Sequence, residues 1–410
     1  MNSNKNIPQL RFPGFSGEWE EKVMSDVFTR RTEKNAEDNK NVLTISAQYG
    51  LISQLEFFKK SVSAADVTGY YLLHKGDFAY NKSSSQGKPV GAIKPLKLYE
   101  KGAVSTLYIV FRCKDPNAIG FWEQYFDAGI FDNEIMSIAQ EGARNHGLLN
   151  VPTNDFFGLN ILSPSPAEQQ KIAECLSAMD DMIAAQDEKV DALKEKKKGM
   201  MQQMFPQKGE TTPRLRFPGF TGDWNSIEFG SIITEYIDKT TTENEDILLS
   251  SAIDGLYLNS ELFTHFRGQS NIGYRKVKRY MLILSAQNLH LGNANVNLRF
   301  ETGIISPAYK VYYIHNCDPV FLSHWIKREE AKTFFDNATT AGASVCRKNI
   351  VWKELYKQKI YLPTDCSEQQ KIAECLSAMD DMIASESAKL EALKDHKKGL
   401  MQQLFPQPNK

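Results

Sequence analysis

Two stretches of this chain concentrate side chains able to read a polar partner. They are Tyr80-Asn81-Lys82-Ser83-Ser84-Ser85-Gln86-Gly87-Lys88, and Ser285-Ala286-Gln287-Asn288-Leu289-His290 followed by Gly292-Asn293-Ala294-Asn295-Val296-Asn297. Asn and Gln match the adenine edge bidentately, Arg and Lys match guanine, and all of these hold phosphates as well. Gly142-Ala143-Arg144-Asn145-His146 and Gly342-Ala343-Ser344-Val345-Cys346-Arg347-Lys348 offer the same chemistry. Their small residues let a backbone approach closely, so that Arg144 or Arg347 could meet a phosphate or a guanine. The candidate nucleic-acid contacts are Asn81, Lys82, Ser83, Ser84, Ser85, Gln86, Lys88, Arg144 and Asn145 in the first half of the chain. In the second half they are Gln287, Asn288, Asn293, Asn295, Ser344, Arg347 and Lys348. A solvated surface turn is the competing reading of either loop taken alone.

The motifs of catalysis are missing. Gly87-Lys88-Pro89 lacks the first Gly and the hydroxyl of a Gly-x-x-x-x-Gly-Lys-[Ser/Thr] phosphate loop, and no Gly-x-Gly-x-x-Gly turn occurs. Ser306-Pro307-Ala308-Tyr309 is the nearest string to the Asn-Pro-Pro-Tyr of amino-methyl transfer, and it lacks the amide. His146, His290, His315 and His324 stand apart, without His-Glu-x-x-His or triad-like neighbours. The six cysteines form no Cys-x-x-Cys pair, which argues against zinc. Catalytic, cofactor and metal residues are therefore expected to be absent.

Composition sets outer bounds. Hydrophobic residues are 41% and charged residues 24%, ordinary for a globular protein. No apolar run approaches the ~20 residues that span a bilayer, and the N-terminus lacks a signal-like core, so a cytoplasmic location without membrane contact is expected. A net charge of −1 implies that a DNA-binding chain of this kind would take much of its phosphate contact from partner proteins.

The elements that must position these loops come in duplicate. Residues 168–184 read Glu-Gln-Gln-Lys-Ile-Ala-Glu-Cys-Leu-Ser-Ala-Met-Asp-Asp-Met-Ile-Ala and recur unchanged at 368–384. Leu-Arg-Phe-Pro-Gly-Phe occurs at 10–15 and again at 215–220, and Gly102 with residues 105–108 matches Gly303 with 306–309. Cys175 and Cys375 are copies of one helical position, which favours packing over chemistry. Such self-similarity gives two units, each a mixed α/β domain followed by a long helix. Strands are predicted at 70–80, 105–112, 277–285 and 308–314, and helices at 121–140 and 320–337.

The long helices carry a heptad seam. Ile172, Leu176, Met179, Ile183, Gln186, Val190, Leu193, Lys197, Met200 and Met204 step by four and three. Ile372, Leu376, Met379, Ile383, Glu386, Leu390, Leu393, Lys397, Leu400 and Leu404 repeat the stripe. The spacing predicts a coiled coil, with the apolar members as pairing residues and Gln186 and Glu386 fixing register. Ser165 and Ser367 are the predicted caps, and Pro206 and Pro406 the stops. The competing reading packs each stripe on its own domain. Because the first helix delivers the chain to the second arm and the second must return, the pair is expected to be antiparallel. The chain ends then look like one linker cut open, making a circular, pseudo-two-fold arrangement. The expected segments are recognition domain one at 1–165, a helix at 166–206, a linker at 207–223, recognition domain two at 224–365 and a helix at 366–407.

With these residues in view, the chain resembles the specificity (S) subunit of Type I restriction–modification enzymes over essentially its whole length. The doubled arms, the Glu-Gln-Gln-Lys-Ile-Ala helices at Glu168 and Glu368, Lys75-Gly76-Asp77-Phe78 and Gly102-x-x-Ser105-Thr106-x-Tyr108 carry the likeness. Arm two departs from it, with Lys278-Arg279-Tyr280 where Gly-Asp is usual. The resemblance implies a non-catalytic subunit whose arms each read half of a split double-stranded DNA target through the major groove. It implies helices that set the spacing and dock two methyltransferase (M) subunits, with restriction (R) subunits completing the complex. S-adenosylmethionine, ATP and Mg would then belong to those partners, and this chain would bind no cofactor. The alternatives are a self-contained or fused Type IIB-like restriction–methylation protein, and a non-enzymatic coiled-coil adaptor.

Overall fold

The computed structural model describes the chain except residues 1–5, 47–49, 59–65, 85–86, 142–146, 264–269, 345–346 and 408–410, and at 141, 341–344 and 347 it describes the backbone alone. The chain forms two compact units, Met1–Asp187 with Ala388–Lys410, and Glu188–Ser387. Each unit therefore contains one arm, the first half of the helix that follows it, and the second half of the other long helix.

Both arms are the mixed α+β fold expected, on one plan. In the first, an antiparallel four-stranded sheet runs in the order Phe28–Arg31, Ile109–Cys113, Asp77–Asn81, Ala92–Pro95. In the second the order is Ile233–Tyr236, Tyr309–Ile314, Leu282–Ser285, Ala294–Val296. A two-stranded ribbon pairs Glu20–Val23 with Asn160–Ser163, and its counterpart pairs Asn225–Glu228 with Lys359–Leu362. Helices Ile119–Asp127 and Pro319–Trp325 bury Phe121, Trp122 and Phe126, and Phe321, Leu322 and Trp325, in the two cores. Aromatic edges fill the first core, with Phe28 meeting Phe111 at 5.1 Å and 84°.

The strands predicted at 70–80 and 277–285 are each broken by a tight turn. Gly76 makes the first turn at φ +87°, and Tyr280 makes the second at φ +66°. The ladders fix the correspondence: Phe78 faces Phe111 as Leu282 faces Tyr312. Gly76 N donates to Leu96 O at 2.8 Å, and Tyr280 N to Asn297 O at 2.7 Å. Asp77 accepts from His74 N, and at the same place Met281 Sδ accepts from Lys278 N. Arm two thus keeps the turn and changes the residues that make it. The helices predicted at 121–140 and 320–337 are likewise interrupted: Gly129 at φ +74° separates Ile119–Asp127 from Asp132–Ile138. The second pair is Pro319–Trp325 and Glu329–Asp336.

The long helices are Pro166–Met204 and Cys366–Leu404. The predicted stripe faces inward, with Ile172, Leu176, Val190, Ile372, Leu376, Met379 and Leu390 buried. Met179, Ile183, Leu193, Ile383 and Leu393 are half-buried. In the first unit Ile172 and Leu176 share a core with Leu404 and Phe405, and Lys397 reaches Asp180 at 2.6 Å. In the second, Ile372 and Leu376 lie with Met204 and Phe205, Lys197 reaches Asp380 at 2.5 Å, and Lys189 reaches Glu386 at 3.0 Å. Within each unit, advancing along one helix means retreating along the other, so the pairing is antiparallel. The ends of each stripe also enter the domain core, so both readings of the stripe hold along different parts of it. Ser165 caps the first helix through Glu168 N, whereas Asp365, rather than Ser367, caps the second by accepting from Ser367 N at 2.8 Å. Asp365 stands one residue before the first helical residue, where a carboxylate reaches the free amides.

The opening of each arm is seated on a helix end. Leu10 N donates to Gln403 O at 2.9 Å, and Leu215 N to Gln203 O at 2.9 Å. Trp19 stacks edge-on to Phe405, as Trp224 does to Phe205. The first unit thus joins residues from both ends of the chain in the way the second joins a continuous linker.

Candidate nucleic-acid interface

Strand Asp77–Asn81 ends at the first candidate loop. Asn81 Oδ1 accepts from Ser83 N at 3.1 Å and turns the chain. Tyr80 hydroxyl donates to Val90 O at 2.6 Å, and Gly91 closes the loop at φ +87°, where a Cβ would lie 2.0 Å from Asn81 O. Only glycine fits there. Ser84 N donates to Gly147 O at 2.6 Å and Leu149 N to Lys82 O at 3.0 Å, so the loop pairs with the chain just after residues 142–146. The described part of the first candidate loop thus lies beside residues 147–149. Ser85, Gln86, Arg144 and Asn145 themselves lie outside the described residues.

Ser83 is exposed, and Asn81 and Ser84 are half-exposed. Lys82 makes no ion pair among the described residues, and partial burial pulls its pKa below the usual lysine value. Lys88 differs. Its ammonium turns to Asp127, donating to the main-chain oxygen at 3.4 Å with the carboxylate 3.9 Å away, so it braces the fold.

In arm two the equivalent strand Leu282–Ser285 ends in the same device, with Ser285 Oγ accepting from Gln287 N and Asn288 N at 3.4 and 3.1 Å. Gln287 and Asn288 are exposed and remain candidates. Asn293 and Asn295 do not: they are 5% and 3% exposed, and their amides are committed to hydrogen bonds inside the arm. Strand Ala294–Val296 and the residues flanking it are buried throughout, which composition alone did not register. Strands Thr339–Ser344 and Arg347–Ile350 pair antiparallel, with Ser344 opposite Arg347. Lys348 Nζ donates to Asp336 Oδ1 at 2.5 Å, and this bond holds the Asp336 carboxyl below its usual range. Lys348 is thus partly spent within the fold.

Sequence reading passed over the residues that hold these arms on the helices. Arg11 grips the buried Glu168 carboxylate at 2.7 and 2.8 Å, and Arg216 grips Glu368 at the same two distances. Each fork also reaches the main chain of the following turn, at Gly17 and Gly222. Recurrence of an Arg and a Glu in both copies was the available signal. Gln124 Nε2 donates to Asp180 at 2.8 Å, and His324, in its place in arm two, lies 3.9 Å from Asp380. Among the described residues no group of three or more His, Cys, Asp or Glu is placed to hold a metal, and no helix is long and apolar enough to cross a membrane.

Comparison with known proteins gives this geometry its context. Residues 208–395 match the family of the Type I restriction modification DNA specificity domain. The protein named "Putative type I restriction enzyme MjaX specificity subunit" from Methanocaldococcus jannaschii is 26% identical over 267 residues, 60% of this chain and 58% of that one. The chain thus matches a little over half the length of that relative. The S subunit of a Type-I restriction-modification system from M. genitalium superposes with TM-score 0.55 and 13% identity, covering 98% of this chain and 100% of that one. A chain from a study of complex assembly and conformational transition in the type I R-M system does so with TM-score 0.55 and 15% identity, at 97% and 99% coverage. Residues 208–395 are thus similar to the Type I restriction modification DNA specificity domain. The two solved chains share the fold of this chain.

Proposed function

We propose that the chain is the DNA sequence-specificity subunit of a Type I restriction–modification complex, each arm reading one half of a bipartite target through the major groove. One observation carries this reading. The same end of the same sheet presents Asn81-Lys82-Ser83-Ser84 in one arm and Ser285-Ala286-Gln287-Asn288 in the other, each begun by a side chain that caps its own turn. A constant frame with unlike polar residues suits the reading of two unlike short sequences. Joining the arms in one chain makes the second contact intramolecular, so two modest half-sites give one selective binder.

The duplicated helices serve as spacer and as docking surface for two methyltransferase subunits. Met182 and Met382, at identical repeat positions, are 53% and 50% exposed and supply adaptable apolar contact on each copy. Restriction subunits complete the complex, and S-adenosylmethionine, ATP and Mg belong to those partner subunits. The test is selection from a pool of random duplexes by the chain co-expressed with its methyltransferase partner. Two short motifs at a fixed gap are expected. Enrichment of no bipartite sequence would favour a protein adaptor, and methylation or cleavage by the purified chain alone would favour a self-contained enzyme.

A further inference from the structure

In each arm one polar link ties the edge strand of the four-stranded sheet to the C-terminal end of the helix behind it or the turn just past that end, and its polarity is reversed between the arms. In arm one Lys94 Nζ donates to Asp127 Oδ2 at 2.5 Å. In arm two Lys327 Nζ donates to Asn295 Oδ1 at 2.6 Å. The positions correspond: Pro95 faces Phe78 as Val296 faces Leu282, which places Lys94 and Asn295 alike. Asp127 and Lys327 each follow the buried helix residues Phe121 and Phe321 by the same interval. The cation stands on the strand in arm one, and in arm two it stands in the turn just past helix Pro319–Trp325.

Lys327 does more than complete this link. The residue is exposed, yet its ammonium also donates to Ala294 O at 2.8 Å and to Ile253 O at 2.6 Å. Three donors meet three acceptors, so none is left for a phosphate. Ile253, 51% exposed, sits in the turn that joins strands Leu249–Ser251 and Leu256–Leu258. The start of that turn is held on its other side by Asn293 and Asn295, which donate to Ser251 O at 3.1 Å and to Ser251 Oγ at 2.6 Å, and by the Tyr309 hydroxyl at 3.0 Å from Ser251 O.

We infer that Lys327 is a positioning residue for DNA reading by arm two, clamping the 252–255 turn to the strand that follows the Gln287-Asn288 loop. This rests on the DNA reading proposed above. The clamp also explains why Asn293 and Asn295 are polar although buried: they are the strand's half of it. Because the polarity differs between the arms, a loop segment moved without its helix partner would set Lys94 against Lys327, or Asn295 against Asp127.

The test uses the full chain and two variants, Lys327→Met and the double variant Lys327→Asp with Asn295→Lys, which installs the polarity of arm one. Three readouts are needed: melting temperature, amide exchange across 252–256, and enrichment of each half-site from random duplexes with the methyltransferase partner present. Lys327→Met is expected to speed exchange in the turn and to weaken enrichment of the arm-two half-site about tenfold, leaving the other half-site intact. The double variant is expected to regain part of the melting temperature lost in Lys327→Met but not the enrichment, since Asp cannot donate to Ile253 O and the Asn295 bonds to Ser251 Oγ and Ala252 O are gone. Unchanged exchange in Lys327→Met would overturn the clamp. Loosened exchange with intact half-site selection, or recovery of selection by the double variant, would reduce Lys327 to a structural link. If the unmodified chain enriches no duplex, the DNA reading falls, with positioning for it, and exchange alone judges the clamp.

Discussion

A carboxylate removed from water needs a cation at bonding distance, and Glu168 and Glu368, at 1% exposure, have theirs in Arg11 and Arg216. Removing one partner leaves a buried charge alone. Arg216→Ala is expected to cost about 3 kcal/mol of unfolding free energy in urea titrations. Arg216→Met combined with Glu368→Leu should recover most of that loss, because no charge is then left unpaired. His324 offers a pH test. Burial, with Lys197 adding to it and Asp380 and Asp318 opposing, pushes its pKa down to about 4. An unfolded histidine titrates near 6.5, so between these values the unfolded chain binds more protons. The contribution of neutral His324 is therefore full above about pH 6.5 and is lost as pH falls toward about 4. His324→Gln, which installs the residue found at Gln124, should flatten the fall in urea midpoint between about pH 7 and about pH 5.

At the scale of the element, the two turns that precede the central strands are a natural substitution pair. Tyr280 holds φ +66°, a backbone region that costs an L-residue roughly 1–2 kcal/mol, and its ring also receives the Arg279 guanidinium at 5.2 Å. Tyr280→Gly is expected to raise stability by about 1 kcal/mol, read as a higher melting temperature. Gly76→Ala should act oppositely, since its φ is +87° and the new Cβ would lie 3.0 Å from Ile119 Cδ1. The long helices were legible because period 3.5 persists through ten seam positions, and a pattern of that length has few other solutions. The broken strands were less so. Gly76 carries a turn signal, but nothing in the tyrosine side chain at 280 announces a left-handed backbone; the hydrogen bonds that Tyr280 N and Arg279 N donate to Asn297 O and Glu301 O hold it.

For the whole molecule, the prediction concerns exchange of an arm. The second core includes Ile372, Leu376, Met204 and Phe205, which lie outside residues 224–362. Ile372 and Leu376 belong to the stretch that repeats 168–184 unchanged, so a foreign arm built on this frame would meet the same sockets. Replacing residues 224–362 by another arm is expected to change one half of the DNA motif and leave the other untouched. Genome-wide mapping of methylated adenines checks this, and an altered sequence in both halves would argue against modular reading.

What the sequence determined by itself was the doubling and the helical seam, because repeats and periodicity are properties of residue order. It could not separate Gln287 and Asn288, which face solvent, from Asn293 and Asn295, which do not. All four have the same chemistry, and only strand pairing decides which way an amide points. The partners of buried charge were equally hidden: Arg11 and Glu168 stand 157 residues apart, and Lys327 meets Ile253 across 74. Such contacts exist only once the chain has closed on itself, because a charge chooses its partner by distance in space and by the water that packing has excluded.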